Sequence, residues 1–352
     1  MRAFDYVRAT SLVEALEAGA SQGARFLAGG TNLLDLMKAG VADPARIVDI
    51  SRLPELGGIE TLEDGSLRIG ALVRNADLAR DPAFASAFPA ICEALLSGAS
   101  AQIRNSATVG GNLLQQTRCA YFYDPMSACN RRENGAGCDA IGGETAGHAV
   151  LGWTPRCIAT HASDFCVPLV ALDAVVQIAG PDGTRETALA DFLRLPDAET
   201  PGGAALGQGE LVTGLRLPAE ARSFAANARY LKLRERTSFA FALVSAAAML
   251  RMEGDRIAEA RLALGGVAAR PWRVSAAEAH LAGAAPSDAL LAEAAALALQ
   301  GAEPSGENAY KIDLARRVAT RALMLATAGT PAKIPALPSS VFAPSEGASA
   351  HA

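Results

Sequence analysis

Five of the six cysteines of this chain fall between positions 119 and 166, in or beside a stretch, 117–160, that shows no apolar period from which a strand or helix could be built. The stretch is too long for an ordinary connection, and irregular segments of that size inside compact domains are functional or disordered. Cys119, Cys129, Cys138 and Cys157 are separated by nine, eight and eighteen residues. That spacing is neither the C-x-x-C of a zinc ribbon nor the tight run of a bacterial ferredoxin. Four thiolates spread along one irregular loop converge only if the loop folds around something, and an iron–sulfur cubane and a zinc ion are the two candidates. A disulfide framework does not suit 352 residues without a secretory signal, because small secreted domains are the ones that need such staples. Arg118, Arg131 and Arg132 stand beside the cysteines, either to offset the charge of a thiolate-ligated cluster or as ordinary solvated side chains. Cys92 and Cys166, each inside an apolar run, read as small buried residues, and His148 and His161 as structural hydrogen-bonding groups.

Ahead of that stretch the order is helix, strand, glycine turn, helix. Thr10 or Ser11 caps a helix through Leu12, Ala15 and Leu16, a strand follows over 25–28, and Gly29-Gly30-Thr31-Asn32 turns into the next helix. Paired glycines in such a turn expose backbone N–H groups and let a phosphate approach closely. A plain strand-turn-helix corner has the same pattern, and it is not the G-x-G-x-x-G fingerprint, so no Rossmann fold is predicted. A second loop, 106–112, repeats the hydroxyl, Gly-Gly and Asn chemistry; the two together suit a pyrophosphate held from both sides, although either alone is explained as structural.

Strands are further expected over 46–50 and 67–71, a helix over 83–97 and another over 165–172, and a hairpin of 174–179 and 185–189 around Pro181-Asp182-Gly183. The Pro/Gly-rich stretch 196–209 reads as a boundary. Strands over 228–236, 243–252 and 256–264 follow, with Gly254-Asp255 as a tight turn, then helices over 275–282, 287–300 and 310–328. The alternation of the first of these strands puts Tyr230, Lys232, Arg234 and Arg236 on one face, which is either an ordinary exposed face or a cationic neighbour for a flavin. A tail over 331–352, rich in Pro, Ala and Ser, is expected to be disordered.

Half of the residues are hydrophobic, enough for one large or two ordinary cores, and the net charge of -5 with scattered basic residues leaves no footprint for nucleic acid. No stretch approaches the roughly 20 apolar residues that span a bilayer, and the first residues lack the apolar core of a signal peptide, so a cytoplasmic location is expected. Neither a Ser-His-Asp arrangement nor H-E-x-x-H occurs.

Several segments resemble the FAD-binding medium subunits of the xanthine dehydrogenase and carbon monoxide dehydrogenase group: FLAGGTNLLDLMK at 26–38, RIGALVRNADL at 68–78, IRNSATVGGNLLQ at 103–115, and FALVSAAAML and LALGGVAARPWR later in the chain. QTRCAYFYDPMSACN, GCDAIGG and CIATHASDF resemble the narrower branch found in bacterial aldehyde oxidoreductases, whose FAD subunits hold an extra [4Fe-4S] cluster. The resemblance implies an α+β chain: a two-part FAD-binding domain of the vanillyl-alcohol-oxidase (PCMH) type over 1–220, carrying the iron–sulfur loop at 117–160. A smaller domain of three strands and helices, of the CO dehydrogenase flavoprotein C-terminal type, would follow over 226–330. It implies FAD held by Phe26, Leu27, Ala28, Gly29, Gly30, Thr31, Asn32, Leu33 and Leu34 and by Thr108, Gly110, Gly111 and Asn112, with Asp164 on the ribose side and Lys232 near the flavin. It makes Cys119, Cys129, Cys138 and Cys157 the cluster ligands and leaves Cys92 and Cys166 without a role.

The implied function is electron transfer in a molybdenum-dependent aldehyde oxidoreductase. A large molybdenum-cofactor subunit oxidises the aldehyde with water to a carboxylate, a small [2Fe-2S] subunit relays the electrons, and this chain hands them to an external acceptor. A partner's twin-arginine signal would carry such a complex to the periplasm. Two other readings stay open: a stand-alone flavin oxidase, which needs a substrate base that no residue here offers, and a zinc-stapled, non-catalytic scaffold.

Overall fold

The computed structural model describes residues 1–332; the expected disordered tail lies, but for its first two residues, outside them. The first helix, Leu12–Gly19, starts where Ser11 accepts the Glu14 N–H on its hydroxyl and Glu14 reaches back to the Thr10 N–H at 2.7 Å. It connects two strands of a three-stranded parallel sheet in which Arg46–Asp49 lies between Asp5–Arg8 and Ala24–Leu27. Beyond it stands a five-stranded antiparallel sheet in the order Ile59–Thr61, Leu67–Gly70, Leu211–Leu217, Val175–Gly180, Gly183–Ala188. These two sheets correspond to the two parts of the first domain that the resemblance implies.

Two expectations about this half need correction. The helix over 83–97 is two helices, Pro82–Ala87 and Pro89–Ser97. The Pro89 ring excludes a helical Phe88, which sits at φ -136, ψ 58, and the second helix restarts on the proline. The stretch 196–209 is not where the chain leaves the sheet, because Leu211–Leu217 returns to it as the central strand. That strand is buried on both faces, so it lacks the apolar–polar alternation by which half-exposed strands are recognised.

The second half is an antiparallel sheet of Ala228–Leu233, Val244–Glu253 and Arg256–Gly265, extended by a two-residue edge strand, Trp272–Arg273, that the sequence reading did not include. Gly254 takes φ +62 in the turn between the long strands. The helices Ser275–Leu281, Asp288–Ala298 and Tyr310–Thr327 lie on one face, where Leu250, Leu262 and Leu264 pack with Ala294, Ala298, Ala319 and Leu323. The two halves meet through buried charge. Glu93 accepts from Arg229 Nε at 2.9 Å and from the Tyr230 N–H.

The cysteine stretch is irregular apart from one helical turn, Ala120–Tyr123, but it is not devoid of apolar anchorage. Val150 and Leu151 are buried in the C-terminal core, and Ile158 and Ala159 are buried as well. Polar side chains stitch the remainder. Asn130 accepts the Gly135 and Gly137 N–H groups and donates to Arg156 O, and Arg132 donates to the carbonyls of Tyr121, Phe122 and Ser127. No helix among the described residues is long and apolar enough to cross a membrane.

Candidate functional site

The two Gly-Gly loops meet. Phe26 and Leu27 end their strand, Gly30 takes φ +71, and the helix Leu33–Lys38 begins after Thr31 and Asn32, with Leu34 packed on Gly30. Ser106 Oγ donates to Gly29 O at 3.0 Å, and a Cβ on Gly29 would stand 2.0 Å from Ser106 O, so only glycine lets the loops touch. Across the contact Thr108 caps the short helix Val109–Leu113 by accepting the Gly111 N–H. Gly110 is packed on Ala71 and donates to its carbonyl at 2.9 Å, so its smallness serves the packing of the loop, while Gly111 is exposed.

Between the loops opens a cleft of about 350 Å³, lined among others by Ala28, Gly29, Ser51, Arg74, Ser106 and Thr108. Asn32 Oδ1 accepts the Gln116 N–H at 3.0 Å, and its Nδ2 is buried without a partner. The guanidinium of Arg74 in the cleft wall suits an anionic group such as a pyrophosphate, whereas the N–H groups of Val109, Gly110 and Gly111 are already bonded to Val73 O, Ala71 O and Thr108 Oγ1. Asn112 is committed elsewhere, its Oδ1 accepting from Ser163 Oγ and Gln115 Nε2, both at 2.7 Å. Sequence reasoning missed Arg74, Gln102 and Asn105 as lining residues, although Arg74 lies inside one of the segments that carry the resemblance.

Asp164 and Lys232 are brought together from positions far apart in the chain. Lys232 Nζ lies 2.8 Å from Asp164 Oδ2 and 3.2 Å from Ser97 O, and Tyr230 donates to Asp164 Oδ1 at 2.6 Å. Their side chains are only 4% and 10% exposed. Burial, reinforced by the adjacent carboxylate, holds the Tyr230 phenol well above its usual range. Arg234 joins them by donating to Ser97 O, whereas Arg236 turns to Phe239 O, so the expected four-residue face splits. Neither Asp164 nor Lys232 lines the cleft between the glycine loops.

All four expected cysteines line one cavity, with Tyr121, Phe122 and Arg131 among its other walls. Cys129 and Cys138 face each other across an isolated antiparallel bridge, and Cys157 closes another with Thr154. Hydrogen-bond donors point at the sulfurs: Arg131 Nε and the Ala159 N–H at Cys157, at 3.4 and 3.5 Å, and His148 Nε2 lies 3.2 Å from Cys119 Sγ. Of the three arginines only Arg131 reaches a sulfur; Arg132 satisfies carbonyls, and Arg118 stacks over Phe241 at 4.8 Å and donates to Tyr123 OH. Burial raises the Cys119 thiol to about 11 and raises Cys138, so with no cation these groups favour the protonated form. Among the described residues no three His, Cys, Asp or Glu side chains stand as they would to hold one metal ion. Cys92 and Cys166 are fully buried, and burial raises each thiol to about 12.

A parallel and an antiparallel sheet flank the two touching Gly-Gly loops, and an α+β unit follows. The domain described as the FAD binding domain in molybdopterin dehydrogenase matches residues 2–220, and the CO dehydrogenase flavoprotein C-terminal domain matches residues 229–326. The chain belongs to this family of FAD-binding oxidoreductase subunits. It is 46% identical over 332 residues to the aldehyde oxidoreductase FAD-binding subunit PaoB of Escherichia coli (strain K12), covering 93% of this chain and 99% of that one. It is 29% identical to the carbon monoxide dehydrogenase medium chain of Hydrogenophaga pseudoflava, over 92% of this chain and 97% of the other. Among solved structures, reconstituted CO dehydrogenase from Oligotropha carboxidovorans matches with a TM-score of 0.73 at 26% identity, covering 94% of this chain and 99% of that one.

Proposed function

We propose that this chain is the FAD- and [4Fe-4S]-containing electron-transfer subunit of a molybdenum-dependent aldehyde oxidoreductase. It would receive electrons from a small [2Fe-2S] subunit beside a large molybdenum-cofactor subunit and deliver them to an external acceptor. The observation that carries the reading is the pairing of the two glycine loops around one cleft with four cysteines around one cavity, in a chain 46% identical to an aldehyde oxidoreductase FAD-binding subunit. When bound, FAD interconverts one-electron and two-electron steps. Ala28 to Asn32 and Thr108 to Gly111, with Arg74, would hold its pyrophosphate, and the buried Asp164–Lys232 pair would stand by its ribose and ring.

Cys119, Cys129, Cys138 and Cys157 would each ligate one iron of a cubane. A cubane takes its thiolates at four separate corners whereas zinc draws them to one centre, and four cysteines around one cavity suit the first; iron and acid-labile sulfide content decides between the two. The N–H groups and Arg131 aimed at the sulfurs offset the thiolate charge. We place the FAD-binding domain at 1–220, with its iron–sulfur loop at 117–160, and the C-terminal domain at 226–330. Co-expressed with its candidate partners, the chain is expected to co-purify with a large and a small subunit, and only the complex to oxidise aldehydes; turnover by the isolated, flavin-loaded chain would overturn the assignment in favour of a stand-alone oxidase.

A further inference from the structure

The C-terminal domain grips the cysteine loop at every residue from 145 to 150. Thr145 Oγ1 accepts the Glu307 N–H at 2.6 Å, Ala146 O accepts from Tyr310 OH at 3.0 Å, and Val150 O accepts the Glu303 N–H at 2.8 Å. Between them Lys311 Nζ donates to Gly147 O at 3.0 Å, to His148 O at 2.8 Å and, from the other side, to Gly266 O at 2.7 Å. Asn308 Nδ2 donates to His148 O and Ala149 O, both at 3.0 Å. Lys311 and Asn308 are both 0% exposed. A Cβ on Gly306 would stand 2.3 Å from Thr145 Oγ1, so the two segments could not lie so close with another residue there.

An ammonium buried among carbonyl oxygens is expensive to desolvate, and burial alone lowers Lys311 to about 8. Three carbonyls in reach of its three protons are the matching set, and one of them belongs to the residue whose side chain touches a cysteine: His148 Nε2 lies 3.2 Å from Cys119 Sγ. His148 is itself buried, and its Nδ1 has no partner, so the ring orientation is set by the backbone that carries it.

We propose that Lys311 and Asn308 are positioning residues for the iron site: by fixing the 147–149 backbone they hold His148 against the Cys119 sulfur and thereby set the electronic environment of that corner of the cluster. The proposal rests on the cluster reading above and adds to it the C-terminal domain as the element that tunes the cluster. A hydrogen bond to a ligand sulfur is one of the levers by which proteins set the potential of such clusters.

The test compares the purified full chain, in its complex, with the variants Lys311→Met and His148→Gln. Both are expected to shift the midpoint potential of the iron site in the same direction while flavin content and flavin potential stay unchanged. After iron is stripped with a chelator, both should slow alkylation of Cys119 by iodoacetamide at pH 8 about tenfold, because its thiolate loses the His148 N–H that stabilises it, the scale of one hydrogen bond to a charged group, and leave Cys129 unaffected. Wild-type potential and a wild-type Cys119 rate in folded Lys311→Met overturn the proposal. If Lys311→Met does not accumulate, Tyr310→Phe, which removes only the bond to Ala146 O at the rim, carries the same comparison with a smaller effect in the same direction. Wild-type protein without iron overturns the cluster reading alone, and the alkylation rates then decide the positioning role.

Discussion

Gly29 bears the tightest contact in the cleft between the glycine loops, with a Cβ there placed 2.0 Å from Ser106 O. The opposing atom is backbone, so Gly29→Ala must separate the loops, and we expect the variant to fold but to lose most of its flavin. The flavin-to-protein ratio after desalting checks this; full occupancy would show that the loop contact does not shape the site. Cys92 and Cys166 mark the opposite extreme, thiols sealed in the core. Burial raises each to about 12 from about 9, so the fold favours the neutral thiol. The stability this contributes is fully present below pH 9 and is lost as pH rises through about 12. Neither thiol should react with iodoacetamide in native protein at pH 8 to 9, and both should react once the chain is unfolded. Native labelling of Cys166 at neutral pH would contradict the burial.

Elements were legible where a period or flanking turn signals mark them, the buried strand Val244–Glu253 included, because Gly254-Asp255 closes it. The strand Arg256–Gly265 and the helix Tyr310–Thr327 carry period and turn signals, and the sequence places both to within a residue or two. Leu211–Leu217 is covered on both sides and has no period to read, and the break at Phe88 was visible as a proline but outweighed by the apolar run around it. The glycine loops were readable as turns, yet their contact across Gly29 and Ser106, and the approach of Arg74, are tertiary facts that no local pattern encodes. The cysteine loop is the intermediate case. Its ligand set could be proposed from spacing and resemblance, whereas its anchorage by Val150, Leu151 and the 303–311 segment could not. With that anchorage in place, losing one ligand should loosen only the part lacking buried support. Cys129→Ser is therefore expected to lose most of its iron and to become sensitive to trypsin at Arg131 and Arg132, while residues 149–151 stay protected. Cys166→Ser should keep its iron, and equal protease resistance of Cys129→Ser and wild type would show that the loop does not depend on its metal.

At the scale of the whole molecule, the fold distributes one task over two domains. The first half builds the cleft and supplies the four cysteines. The second contributes Lys232 to Asp164 at one end and Lys311 and Asn308 to the cysteine loop at the other. Both cavities are lined by first-half residues and braced from the second half, and the halves are joined by buried charge such as Glu93–Arg229. The central claim is that one chain carries both a flavin and a cubane. Its most direct test is the composition of anaerobically purified protein, by acid release of flavin together with iron, zinc and acid-labile sulfide analysis. The account predicts one FAD and about four iron and four sulfide per chain, as a [4Fe-4S] centre requires. Zinc with no sulfide, in protein that still carries its flavin, would contradict it.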